Sequence, residues 1–202
     1  MKNGSCNGVN SSTGTITVNQ LPVVAAITGT ASVCTGATTT LSDATAGGVW
    51  TSGSTGVATV DASGVVTAVS AGTSLITYTV TNGGGCSTAV TTTVTVNALP
   101  TVAAITGTAS VCAGSTTNLS DATSGGVWSS SNTSVATVNA SGVVTGVAGG
   151  AADILYTVTN GSGCSGVATQ TVTVNALPSI PAVTGTPNVC AGQTTTLGNT
   201  IS

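Results

Sequence analysis

The stretch Trp128–Gly150, WSSSNTSVATVNASGVVTGVAGG, holds short β-branched runs set between turn-forming residues. Val135–Asn139 and Val143–Val147 flank Ala140-Ser141-Gly142, which reads as two strands joined by a tight turn. Ser124-Gly125-Gly126 turns the chain into Val127–Ser130, which carries the tryptophan, and Gly149-Gly150 marks the next break. Val, Ile and Thr suit a pleated surface, and no 3.6-residue apolar period runs through them.

The same reading extends in both directions. Asp153–Thr159 forms a strand around Tyr156, Asn160-Gly161 opens a turn, and Val167–Asn175 is a last strand. In it Val172 and Val174 point one way, Thr171 and Thr173 the other. Upstream, Thr101–Thr108 reads as a first strand continuing loosely through Val111. Ala113-Gly114 turns it into Thr116–Ser120. About seven or eight short strands with turns every ~8–12 residues predict a β-sandwich.

This unit is repeated. Residues 21–98 and 99–176 align without a gap at an offset of 78, with 56 identities in 78 positions. Trp50 matches Trp128, Tyr78 matches Tyr156, Cys34 matches Cys112 and Cys86 matches Cys164. Residues 177–202 repeat the opening third of the unit, and residues 1–20 its closing part, with Cys6 standing where Cys86 and Cys164 stand. The expectation is four segments: 1–20 ending a preceding repeat, 21–98 and 99–176 as complete repeats, and 177–202 beginning another. The sequence then reads as a window on a longer array. Residues 1–20 lack the apolar core of a signal peptide.

Composition narrows the function. Of 202 residues only Lys2, Asp43, Asp61, Asp121 and Asp153 are charged, 2% of the chain, for a net charge of −3. There is no His, the usual general base and metal ligand. One cation argues against nucleic-acid binding and against a polybasic membrane patch. Four Asp and no Glu leave little for a two-carboxylate site. The expectation is a non-enzymatic protein without a cofactor or metal. At 40% hydrophobic, and with no apolar run near ~20 residues, the chain reads as folded and without a membrane span.

The run Trp128–Gly150 followed by Ile154 and Tyr156, and equally Trp50–Gly72 followed by Ile76 and Tyr78, resembles the bacterial Ig-like group 2 domain. The added Val-Cys-x-Gly and Gly-Cys pair, with Thr-rich and almost uncharged strands, is similar to repeats in very large surface proteins of Bacteroidota. The resemblance implies an all-β architecture of tandem Ig-like sandwiches arranged head to tail. It also implies a secreted cell-surface adhesin, hence an extracellular location. A module of this kind does not fix a ligand.

Several side chains are site candidates. Trp50, Trp128, Tyr78 and Tyr156 read as core, because one large aromatic pair per unit is what a small sandwich needs; a sugar-stacking platform is the other reading for the tryptophans. The four aspartates read as turn caps rather than calcium ligands, since only Asp43 and Asp121 recur while Asp61 becomes Asn139 and Asp153 replaces Leu75. Cys190-Ala-Gly-Gln193 has internal-thioester spacing, but the corresponding runs at Cys34 and Cys112 lack the Gln. Pro22, Pro100 and Pro178 stand at four-residue joints without a flexible Gly/Ser tether, which predicts stiff junctions.

The six cysteines, two per unit in a chain without His, predict disulfides rather than zinc. Two pairings are open. Each repeat closes on itself, Cys34 with Cys86 and Cys112 with Cys164, or Cys34 pairs across repeats with Cys164. Strand counting favours the second, because it puts the two cysteines of a unit at opposite ends of the sandwich, roughly 25 Å apart at 3.3 Å per residue. A disulfide needs Cα atoms within ~7 Å. Cys6 and Cys190, with Cys86 and Cys112, then take partners beyond the window or in the end fragments.

The partners expected are neighbouring repeats, identical chains alongside, and glycans on a surface rich in Ser, Thr and Asn. Asn3, Asn10, Asn118, Asn132, Asn139 and Asn160 fit the N-glycosylation pattern. Threonine rows such as Thr91, Thr93 and Thr95 offer a further binding face. With so little charge, nothing guards the sheet edges or repels a neighbouring chain.

Overall fold

The computed structural model describes residues 17–199. The chain divides into two compact units between Ala98 and Leu99. Among the described residues there is no helix, and so none long and apolar enough to cross a membrane.

Unit 1 carries eight strands: β1 (Thr28–Gly29), β2 (Ser32–Cys34), β3 (Thr38–Ser42), β4 (Val49–Ser52), β5 (Ala58–Val60), β6 (Val65–Ala68), β7 (Gly72–Thr81) and β8 (Ser87–Asn97). Unit 2 repeats them as β9 (Thr106–Gly107), β10 (Ser110–Cys112), β11 (Thr116–Ser120), β12 (Val127–Ser130), β13 (Ala136–Val138), β14 (Val143–Gly146), β15 (Gly150–Thr159) and β16 (Ser165–Asn175). Each unit is a pair of four-stranded sheets. In unit 1 the orders are β1-β3-β6-β5 and β2-β8-β7-β4, and unit 2 has the equivalent orders.

The two sheets of each unit share one core. In unit 2 it gathers Leu119, Ala136 and Val144 from one sheet with Val111, Ile154, Tyr156, Val172 and Val174 from the other. Val172 and Val174 are buried while Thr171 and Thr173 face outward, as the period of two requires. The longest elements form a hairpin in each unit, β7 with β8 and β15 with β16, paired over ten residues.

The opening of the unit differs from the continuous first strand expected over Thr101–Thr108. Only Thr106–Gly107 pairs there, antiparallel to β11, and the chain then crosses to the other sheet, where β10 runs parallel to β16. Gly107 makes the crossing. Its φ of 122° lies where side-chain-bearing residues are strained, and a Cβ on it would collide with the Asn118 carbonyl oxygen. Gly29 has the same role in unit 1, with φ 121°.

Residues 177–199 are exposed and form one isolated bridge, Thr184 with Gly198, closed by reciprocal backbone bonds of 2.9 and 2.8 Å. Thr184 lies 78 residues after Thr106 and Gly198 lies 78 after Ser120, so the bridge repeats the Thr106–Ser120 pairing at the start of unit 2.

Candidate functional site: the cysteine-bearing ends of each unit

Within each unit the two cysteines are held at opposite ends of one sheet. Cys34 ends β2 directly beside Asn97, the last residue of β8. The turn after it is fixed by Thr35 N–H donating to the Asn97 carbonyl and Ala37 N–H donating to the Cys34 carbonyl, at 2.9 and 3.0 Å. Asn97 Nδ2 also donates to Ser32 Oγ at 2.9 Å. Cys112 stands beside Asn175 with equivalent bonds.

Cys86 and Cys164 stand at the other end, where the long hairpins turn. An asparagine builds each turn. Asn82 Oδ1 accepts from Gly84 N–H and Cys86 N–H at 3.1 and 3.0 Å, and Asn160 Oδ1 accepts from Ser162 N–H and Cys164 N–H at 3.0 and 3.1 Å. This end also receives the incoming chain. Asn82 Nδ2 donates to the Gln20 carbonyl at 2.6 Å, and the Pro100 carbonyl oxygen lies against Gly166. Each unit thus carries its second cysteine at its entry end and its first at its exit end.

That placement excludes closure within a unit. Ten residue steps of β8 separate Ser87, next to Cys86, from Asn97, next to Cys34. At ~3.4 Å per step this is about 34 Å, several times the Cα separation a disulfide spans. Cys34 and Cys164 are in the disulfide state, whereas Cys86, Cys112 and Cys190 are free thiols. The within-repeat bridges Cys34–Cys86 and Cys112–Cys164 are therefore not made. Cys6 lies outside the described residues.

The aromatic pair occupies the middle of each unit. Trp128 on β12 faces Tyr156 on β15 with ring centroids 4.7 Å apart, and Trp50 faces Tyr78 at 4.6 Å. The tyrosines are buried. Their hydroxyls are satisfied twice: Tyr156 OH donates to the Thr123 carbonyl at 2.8 Å and accepts from Gly126 N–H at 2.9 Å. The tryptophans are only half-buried. Trp128 packs on the core with one side and lines a recess of about 160 Å³ with the other.

The aspartates build turns. Asp43 and Asp121 each accept a backbone N–H two residues on at 2.7 Å. Asp61 Oδ1 accepts from Ser63 and Val65 N–H, and Asn139 Oδ1 makes the same two bonds to Ser141 and Val143. Asp153 accepts from Thr171 Oγ1 at 2.6 Å on the outer face. Among the described residues no three His, Cys, Asp or Glu side chains group to hold a metal. Because Asn139 does the work of Asp61 without charge, Asp61→Asn should change the stability of unit 1 by less than about 0.5 kcal/mol. Urea unfolding at neutral pH checks this, and a larger loss would mean that the carboxylate charge matters there.

Pro100 enters unit 2 beside the Cys164 hairpin, Pro22 enters the irregular opening of unit 1, and Pro178 follows β16 in an exposed segment. The parallel pairing of β2 with β8 and of β10 with β16 has no local signature. Its strands lie some 60 residues apart, and turn chemistry reports only antiparallel neighbours.

A sandwich of this topology, with cysteines at its two ends, belongs to the Ig-like class. Residues 89–172 match the bacterial Ig-like domain (group 2) family, in agreement with the resemblance carried by the Trp-to-Gly-Gly run. Solved structures to which the chain is similar include S-layer protein SbsC domains 4 and 5, at 22% identity and a TM-score of 0.34, covering 77% of this chain and 99% of that one. An adhesin that helps an Antarctic bacterium reach out and bind ice has 18% identity and a TM-score of 0.35, covering 84% and 53%. A C-terminal fragment of intimin, solved with the intimin-binding domain of its translocated receptor, has 17% identity and a TM-score of 0.37, covering 76% and 65%. The chain spans only 25% of the SbsC structure of domains 1–6. Among curated proteins none matches.

Proposed function

We propose that this chain is a load-bearing segment of an extracellular stalk, part of a large secreted surface adhesin. Its Ig-like repeats would be joined covalently by a Cys34–Cys164 disulfide. The observation that carries this reading is the position of the cysteines. The exit-end cysteine of one unit and the entry-end cysteine of the next are the two that a head-to-tail arrangement brings near each other, and Cys34 and Cys164 are that pair. The role needs no catalytic group, cofactor or metal, in keeping with a chain that has no His and 2% charged residues. Such a stalk projects a binding tip located elsewhere in the protein, and its partners are the neighbouring repeats.

Proteolysis of the oxidised chain without reduction, followed by mass mapping, tests the joint. One peptide pair linking Cys34 to Cys164 is expected. A link from Cys34 to Cys86, or thiols at both Cys34 and Cys164, would remove the stapled stalk.

A second reading, lateral assembly into a multi-chain filament, draws on one feature. The outer face of the β2-β8-β7-β4 sheet exposes Val49, Leu75, Thr91, Thr93 and Thr95 and carries no charge. Electron microscopy of the native protein separates the two readings. A stalk is one sandwich wide, whereas a filament shows several chains in cross-section.

A further inference from the structure

Two stretches of backbone cross each unit from its entry end to its exit end, and they lie side by side. In unit 2 the first runs from Leu99 to Cys112 and the second from Cys164 through β16 to Asn175. They are hydrogen-bonded in parallel, with Ser110 opposite Thr173, Val111 opposite Val174 and Cys112 opposite Asn175. Unit 1 is built the same way, with Ser32, Val33 and Cys34 opposite Thr95, Val96 and Asn97. Each stretch has a chain junction at one end and a cysteine at the other. The residues between the two cysteines of a unit, 35–85 and 113–163, make up the rest of the sandwich.

We infer that the cysteines convert these two stretches into covalent struts and remove the rest of each sandwich from the path of tension. The inference rests on the Cys34–Cys164 joint proposed above. Force entering at Leu21 runs along the first strut of unit 1 to Cys34, crosses the disulfide to Cys164, follows β16 and leaves at Ala176. Residues 35–163 become a closed loop that end-to-end pulling cannot lengthen. The second strut is the extended strand β16, while the first takes twelve residues, Pro100 to Cys112, to advance as far as nine residues of β16; once its slack is drawn, tension is borne along covalent bonds rather than by shearing strands apart.

The free cysteines fit the same scheme. Cys112 holds in unit 2 the exit position that Cys34 holds in unit 1, and Cys86 holds the entry position of Cys164. In a longer array of this repeat, Cys112 would bond to the entry cysteine of the following unit and Cys86 to the exit cysteine of the preceding one. Forming each bond is a two-electron oxidation of two thiols to a disulfide with release of two protons. The electrons pass to an exchanging disulfide, which is itself reduced to two thiols. The resulting loops overlap, so every unit has both struts engaged and no unit stretches unless a disulfide is reduced.

The test is to pull the 202-residue chain by its two ends, oxidised and then reduced, with disulfide mapping on the same material. Mapping should show Cys34 linked to Cys164, with Cys86 and Cys112 open to alkylation. The oxidised chain should show no unfolding steps. Reduction should restore them and lengthen the fully extended chain by roughly 450 Å, the reach of the ~130 residues released at ~3.5 Å each. Cys34→Ser under oxidising conditions should behave like the reduced chain. If mapping shows the Cys34–Cys164 link but the oxidised chain still unfolds in steps, the shielding is wrong and the staple stands. If the link is absent, both fall.

Discussion

Gly126→Ala is expected to destabilise unit 2 by about 4 kcal/mol, whereas Gly125→Ala, one residue away, should cost only about 1–2 kcal/mol. The two glycines are needed for different reasons. Gly125 has a φ of 81° and nothing within 4 Å of where a Cβ would stand, so alanine there incurs only left-handed backbone strain. Gly126 has no such backbone requirement. Its Cβ would overlap Cε1 and Cζ of Tyr156, whose ring lies flat against it. To make room the ring must shift, which breaks the bonds from Gly126 N–H to the tyrosine hydroxyl and from that hydroxyl to the Thr123 carbonyl. Overpacking costs ~1–3 kcal/mol, and each buried group left unpaired a further ~1–3 kcal/mol. Gly48 stands in the same relation to Tyr78, so Gly48→Ala provides a replicate in unit 1. Denaturant titrations of the three alanine variants decide the matter. Equal losses at Gly125 and Gly126 would mean that the tyrosine can be re-seated and that the contact is not specific.

Much of this architecture is legible in the sequence because its strands are short and its turns carry distinctive residues. Thr116–Ser120 and Val127–Ser130 fall where alternation and the flanking glycines place them. The turn at Ala140-Ser141-Gly142 is legible because Gly142 adopts φ 81° and the preceding Asn139 caps it through two backbone N–H groups. Harder to see is the opening of the unit. Thr101–Thr108 alternates well enough to read as one strand, but Gly107 redirects the chain between sheets, and only the position of β11 beside it makes that necessary. The half-exposure of Trp128 is also invisible locally. It depends on β12 being an edge strand, which is a property of the sheet order.

The cysteines divide in the same way. Their separation along the sandwich follows from counting residues in the strands between them, and the register of β8 and β16 makes that separation explicit. Which cysteine meets which is a different question. Neither periodicity nor turn chemistry carries that information. Cys86 and Cys112 are free thiols, while Cys34 and Cys164 are in the disulfide state.

Ile154→Ala should lower the stability of unit 2 by about 3 kcal/mol. Ile154 is fully buried on β15, an inner strand, paired with Ser130 of β12 on one side and Gln170 of β16 on the other. It sits among Leu119, Ala136, Val144 and Val172, all held by regular strands. Such a site cannot collapse to fill a vacated volume, so the loss combines the transfer free energy of the missing methylenes with that of the cavity they leave. Domains of this size typically have ~5–15 kcal/mol of stability in total, so the variant should still fold but melt about 15 °C lower. Ile154→Val removes a single methylene and should cost only about 1 kcal/mol. Ile76, fully buried at the same place in unit 1, should respond alike. Calorimetry on reduced protein measures all three without the cross-link. A loss below about 1 kcal/mol for Ile154→Ala would show that the core is loosely packed. In that case, holding the sandwich together would fall to the hairpin hydrogen bonds rather than to apolar burial.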